Sequence, residues 1–249
     1  MSDLSITRDA GVLRITLTAP DRLNSVTTDM LNQIAEAVET AEGVRAAVLT
    51  GEGRAFCSGA VMVPGAVNVG ILEAADRVIH ALTGAPFPIV AAVNGLAAGI
   101  GSSLALACDL QVTRESDYFL QAFVNVGLMG DGGAHIFLAS TLGRARAMRL
   151  IMLGEKLPNP EAHAAGLVSH CVPDEQWQAT VDALVERLAT GPTMAYSRIK
   201  STVNAAALAQ LDEVLNRETE GQTTLGASSD FTEGVKAFAE KRPANFSGA

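Results

Sequence analysis

The chain has few cysteines, little charge and no long apolar run. Cys57, Cys108 and Cys171 are too few and too scattered for a disulfide framework or a zinc site, and read as buried reduced thiols. Charged residues make up 18% of the 249 residues, which is low for a soluble monomer and points to further surface hidden in an oligomer. The formal net charge of −9 argues against a broad electrostatic surface for nucleic acid, though a few local Lys or Arg groups still suffice for phosphates. The longest stretch of small and apolar residues, Gly95–Cys108, is interrupted by Gly and Ser and is too short to span a bilayer. In Met1-Ser2-Asp3-Leu4-Ser5 no basic region leads into an apolar one, so no secretion signal is read there and a cytoplasmic protein is expected.

What the chain does have is apolar material, 48% of its residues, in a length ordinary for a single α/β domain. Leu13, Ile15 and Leu17 alternate with polar residues, as a half-buried strand leading to a turn at Pro20-Asp21 would. Met30, Leu31, Ile34, Ala35 and Val38 recur at helical spacing, with Thr27 or Thr28 as cap and Gly43 just past the end. Helical periodicity returns over Ile71–Leu82, before Pro86 and Pro88. This alternation runs to about Val112 and predicts a mainly parallel sheet with crossover helices. Beyond Ala165 the chain reads as helical, with Trp177, Val181, Leu184 and Leu188 forming one core-facing stripe and Gly191-Pro192 breaking it. The expected division is a core over 1–190 and a helical region over 191–249 that packs on the core or on a neighbouring subunit.

Two glycine-rich segments stand out, Phe56-Cys57-Ser58-Gly59-Ala60 and Asn94-Gly95-Leu96-Ala97-Ala98-Gly99-Ile100-Gly101. Each follows an apolar strand-like run, and the second opens into a helix-forming stretch, Ser102–Asp109. Backbone N–H groups at such turns and helix starts attract negative charge. Two converging on one point would stabilise the oxyanion that develops on a carbonyl during acyl chemistry. A single loop of this kind reads equally as a tight turn.

With these segments in this order the chain resembles the crotonase superfamily, the enoyl-CoA hydratase/isomerase family. The resemblance starts at Pro20-Asp21-Arg22-Leu23-Asn24 and continues through Leu49–Ala60, Val93–Asp109 and Ala165–Val168. It ends in Asp230–Phe238 and Glu240-Lys241-Arg242. It implies a ββα spiral with a C-terminal helical trimerisation region, assembled as a trimer or as a hexamer of two trimers. It also implies an acyl-CoA substrate, with coenzyme A entering as part of the thioester rather than as a separate cofactor. That neither nucleic acid nor membrane is a partner is expected from the acidic balance and the lack of a spanning run, not from the resemblance.

Carried over by motif, the two oxyanion-binding N–H groups belong to Ala60 and Ile100. The family usually has Gly at the place of Ile100, so the hole is expected to be intact and the acyl pocket altered. The two glutamates of family hydratases would fall at Ser103 and Phe123, and neither is a carboxylate, so hydration by the usual route is not expected. The remaining carboxylate of this region is Asp131, where isomerase-like and dehalogenase-like members place their working Asp. Followed by two glycines, it reads either as a base or as a helix N-cap. His135, four residues on, would share its face on a helix, to tune it, to carry a second proton, or simply to pack. For the substrate the resemblance points to Arg22 and Leu23 at the nucleotide end, and to Ser58, Val61 and Met62 beside the first N–H donor. Phe123 and His135 complete that set, and Lys241 either reaches a CoA phosphate or is a surface lysine. The expected activity is double-bond isomerisation, or a related enolate proton transfer, through Asp131. The alternatives are a hydratase, a dehalogenase or thioester hydrolase with Asp131 as nucleophile, and a silent acyl-CoA binder.

Overall fold

The computed structural model of the chain describes residues 3–61 and 69–249. The alternation of Leu13, Ile15 and Leu17 becomes strand β2 (Val12–Leu17), paired with β1 (Leu4–Asp9) in an antiparallel hairpin. The next segment folds as helix α1 (Thr28–Glu39), whose N-cap is Thr27: its hydroxyl accepts the Met30 N–H. Capping satisfies one of the orphan donors of a helix start, and of the two threonines the sequence offered for it the structure uses Thr27.

A repeated unit follows. Strand β3 (Ala46–Gly51) turns into β4 (Ala55–Cys57), and α2 (Val69–Gly84) comes after it. Then β5 (Ile89–Val93) turns into β6 (Leu96–Ala98), followed by α3 (Ile100–Ala107). A third pair is β7 (Leu110–Arg114) and β8 (Tyr118–Leu120), which leads through a 3-10 turn at Phe123–Val126 to α4 (Ala134–Leu142). In every unit the first strand joins one sheet and the second joins another. The larger sheet has the order β1-β2-β3-β5-β7-β10 and is parallel from β2 onward; the smaller has the order β4-β6-β8-β9. Two sheets wound by successive ββα units make a spiral, with α/β character throughout.

After α4 come α5 (Arg144–Leu153), β9 (Lys156–Pro158), α6 (Asn159–Ala164) and β10 (His170–Val172), then α7 (Trp177–Thr190), α8 (Thr193–Ala207), α9 (Leu211–Gly226) and α10 (Ser229–Ala239). The region past Ala165 is therefore not wholly helical. Strand β10 pairs with β7, and its three residues are too few to show a period. Cys171 lies in this edge strand and is partly exposed, unlike the buried Cys57 and Cys108, so only two of the three thiols are buried.

Period-two alternation sorts the large sheet's side chains to its two faces. Val12, Val48, Val90 and Val112 meet Trp177, Val181, Val185 and Leu188 of α7. Val185 is buried in the stripe, while Leu184 is only half-buried. Leu13, Leu17, Leu49 and Ile89 face the main core with α1 and α2. Each fully buried Leu or Ile contributes about 1.5–3 kcal/mol, so this layer carries much of the stability. No helix among the described residues is long and apolar enough to cross a membrane.

Two buried amides fix the corners where the strands leave the large sheet. The Asn24 side chain donates to the carbonyls of Glu52 (2.9 Å) and Ala55 (2.7 Å) and accepts the Ala19 N–H. The Asn94 amide donates to the Gly53 carbonyl at 3.0 Å. A Cβ on Gly95 would lie 2.9 Å from the Cα of Ala55, so only glycine lets these corners approach.

Candidate active site

The corners set the two glycine-rich segments side by side. Ala60 forms a parallel bridge with Val26: Val26 N–H donates to Gly59 O and Val61 N–H donates to Val26 O, both at 2.9 Å. In that pattern the bonded groups belong to Ala60's neighbours, and its own N–H turns to the opposite side. Ile100 is the first residue of α3, where helical N–H groups have no internal partner. Neither N–H finds an acceptor among the described residues. Gly59 and Gly99 have φ of 113° and 53°, and a Cβ on Gly59 would lie 4.0 Å from the Gly99 Cα. The positive end of the α3 dipole adds to the local preference for negative charge.

The neighbouring side chains set the walls. The Phe123 ring lies against Gly99, its Cζ 3.4 Å from where a Cβ would stand. Ile100 is buried, and its Cδ1 occupies the space that a side chain on Gly132 would need. Ser103 is fully buried, its hydroxyl donating to the Asp131 carbonyl at 2.8 Å, so α3 is tied to the loop that carries Asp131.

Asp131 is buried with an unusual set of partners. Its Oδ2 accepts one bond, from Gln222 Nε2 at 3.2 Å, and Oδ1 has none. Burial pushes its pKa up to about 8, with the negative charges of Glu218 and then Asp76 adding to the effect and the Gln222 bond opposing it. The helix-cap reading of Asp131 is corrected here. The N-cap residue of α4 is Gly133, and the carboxylate that reaches the helix start is Glu218 of α9. Glu218 accepts the N–H of Gly133 at 2.7 Å and of His135 at 3.1 Å, and its Oε1 lies 2.6 Å from His135 Nδ1. The expected shared face of Asp131 and His135 is also corrected. Asp131 precedes the helix rather than lying on it, and the His135 ring turns to Glu218. Asp76, on α2, has its pKa raised to about 6, by burial first, and accepts from Thr219 of α9 at 3.1 Å.

Glu218, Gln222 and Asp76 went unread in the sequence. A signal existed: Leu211, Leu215, Glu218 and Gln222 recur at helical spacing on the buried face of α9, so two polar residues continue an apolar stripe.

Around this centre, Arg22 pairs with Asp3 at 2.9 Å and donates through Nε to the Ser25 carbonyl. Leu23, with φ of 55°, accepts the Ser58 N–H at 3.0 Å, and the Ser58 hydroxyl reaches the Arg22 carbonyl at 3.3 Å. Residues 22–23 and 58–60 thus form one continuous edge. Val61 is exposed at its end, while Met62 lies outside the described residues. Lys241 follows α10 with a φ of 54°. Burial raises the Cys57 thiol to about 12, which leaves it inert as a nucleophile. A buried carboxyl whose pKa is raised to about 8, on a loop tied to the helix that Ile100 opens, has the proton affinity of a group that can exchange a proton with carbon.

Two sheets wound by successive ββα units, with two glycine-rich loops brought side by side, define an α/β spiral protein. The chain belongs to the enoyl-CoA hydratase/isomerase family of the crotonase superfamily, which it matches over residues 7–249. It is 40% identical over 244 residues to a probable enoyl-CoA hydratase of Rhodobacter capsulatus, covering 96% of this chain and 95% of that one. It is 37% identical over 252 residues to the 1,2-epoxyphenylacetyl-CoA isomerase of Escherichia coli, covering 96% of each. Among solved structures, an enoyl-CoA hydratase from Mycobacterium avium subsp. paratuberculosis superposes with a TM-score of 0.93 at 41% identity, covering 99% of each chain.

Proposed function

We propose that this enzyme moves a proton on an acyl-CoA thioester, as a double-bond isomerase or in a related enolate reaction. The N–H groups of Ala60 and Ile100 hold the thioester oxygen. Asp131 takes a proton from the α- or γ-carbon and returns it elsewhere on the enolate. The observation that carries this reading is the buried Asp131 carboxyl, with one oxygen unpaired and a proton affinity near neutral pH. A 1,3-proton shift needs one base, whereas hydration by the family route uses two carboxylates, and Ser103 and Phe123 supply neither. The relative from Escherichia coli, named as an isomerase of a CoA thioester, supports an isomerase assignment, while the Rhodobacter capsulatus name keeps hydration in contention.

In this reading the edge from Arg22 and Leu23 to Ser58, Val61 and Met62 receives coenzyme A as part of the substrate, with no separate cofactor. Phe123 and Ile100 wall the acyl pocket, with His135 at its margin. The protein acts in the cytoplasm as a homotrimer or a hexamer.

The test is incubation with a panel of acyl-CoA thioesters in heavy water, followed by mass spectrometry. Deuterium uptake is expected without net addition of water, and Asp131→Asn should reduce it by about 10²-fold or more. Turnover of crotonyl-CoA to the hydrated product on the order of 10² per second or faster would overturn the assignment.

A further inference from the structure

Helix α4 starts at a glycine N-cap that has no side chain to satisfy the first N–H groups. The near candidate for that task is Asp131, two residues earlier, yet its carboxyl bonds neither Gly133 nor His135. Glu218 reaches in from α9 and accepts both N–H groups. The same carboxyl also holds the His135 ring, its Oε1 lying 2.6 Å from Nδ1. One turn further along α9, Gln222 Nε2 donates to the Met129 carbonyl at 2.6 Å and to Asp131 Oδ2 at 3.2 Å. That amide therefore grips both ends of the segment 129–131. Asp131 Oδ1 remains buried without a partner, a costly state for a structural carboxyl.

We propose that Glu218 and Gln222 are positioning residues for Asp131. Glu218 takes over the helix cap that Asp131 would otherwise provide, and Gln222 holds one carboxyl oxygen by a single bond so that the other stays free for a proton. This rests on the reading of Asp131 as the proton carrier. An Asp131 engaged as a cap would accept two N–H bonds and be held ionised, with no useful basicity. Moving the cap to Glu218 removes those bonds and sets a negative charge beside Asp131 instead. The groups bearing on Asp131 come from three directions. Glu218 and Gln222 lie on α9, Asp76 with His80 near it on α2, and His135 on α4, bound to Glu218. Glu218 and Asp76 favour the protonated form of Asp131, and the Gln222 bond favours the ionised one.

The two residues therefore push in opposite directions, which a merely structural role would not do. The experiment is a carbon-13 NMR titration of the ligand-free protein labelled at its aspartate carboxyl carbons. The Asp131 signal is assigned by its loss in Asp131→Asn. Glu218→Gln should lower the Asp131 midpoint by about one pH unit or more, and Gln222→Leu should raise it. The rising limb of the pH profile for deuterium exchange should follow each shift, because the ionised carboxyl is the base. Unmoved midpoints in folded variants, with only melting temperature or KM changed, would overturn the proposal. Should Glu218→Gln fail to fold, the direction of the shift in Gln222→Leu decides alone. The NMR titration needs no turnover, so a failed positioning role and a failed catalytic role for Asp131 give different results. In the second case the midpoints shift while Asp131→Asn leaves exchange undiminished.

Discussion

Asp131 has the atoms of any aspartate and the behaviour of a different group, because burial and two neighbouring carboxylates oppose its ionisation. That difference has a consequence for stability. The unfolded chain gives up the Asp131 proton near the ordinary value of 3.8, whereas the folded chain keeps it until about 8. Between those values the folded state binds more protons than the unfolded state, so stability falls as pH rises. The contribution is full below pH about 4 and is lost as pH climbs through about 8; Asp76, raised to about 6, acts with the same sign. Asp131→Asn cannot ionise in either state. Relative to the unsubstituted protein, its melting temperature should gain at least about 2 °C on going from pH 4 to pH 8. Thermal melts at both pH values check this, and a flat difference would show that the folded chain carries Asp131 ionised.

At the scale of elements, what could be read from the sequence depended on how local the cause was. Helix α1 was legible because its stripe and its Thr27 cap lie within a few residues of each other. Strand β10 was not, since His170-Cys171-Val172 is a strand only by virtue of pairing with β7. The two glycine-rich loops were legible as loops, and their adjacency followed only from the resemblance, because it depends on Asn24 and Asn94 pegging corners far apart in sequence. The carboxylate cluster was missed for the same reason: which face of α9 is buried is decided by packing against α2 and α4. Helix α8 carries a comparable long-range tie. Lys200 is buried and donates to the Leu82 carbonyl at 2.6 Å and to Asp109 Oδ2 at 2.9 Å, and Asp109 Oδ2 also accepts the Ile89 N–H at 2.7 Å. Burial raises the Asp109 pKa and Lys200 holds it down. Lys200→Met strands the carboxylate and should cost about 3–5 kcal/mol in urea unfolding at neutral pH. Adding Asp109→Asn should recover part of that loss, since the stranded charge is then gone. A double variant no better than the single one would mean that the lysine acts through its carbonyl contacts alone.

For the whole molecule, the candidate site draws on segments far apart in the sequence. Its N–H donors come from two successive ββα units, its acid from the loop before α4, and the clamp on that acid from the C-terminal helices. The same C-terminal half leaves apolar side chains uncovered. On α8, Met194, Ile199 and Val203 are 87%, 59% and 55% exposed, and on α5 Met152 and Leu153 are 59% and 61% exposed. Ile199 and Val203 also line an open cleft with Leu106, Phe137 and Leu208. Exposed apolar side chains clustered in this way mark association surfaces, and only 18% of the residues carry charge, so a self-assembled state is expected to cover them. Light scattering on the purified protein at micromolar concentration should give three or six times the 25.8 kDa chain mass. Replacing both Ile199 and Val203 by Asp puts two like charges where an assembled interface would exclude water, at several kcal/mol per uncompensated charge. The variant should run at lower mass while its circular dichroism stays native, because neither side chain is buried within the single chain. A stable monomer in the unsubstituted protein would refute the assembly, and an unchanged mass in the variant would move the interface away from α8.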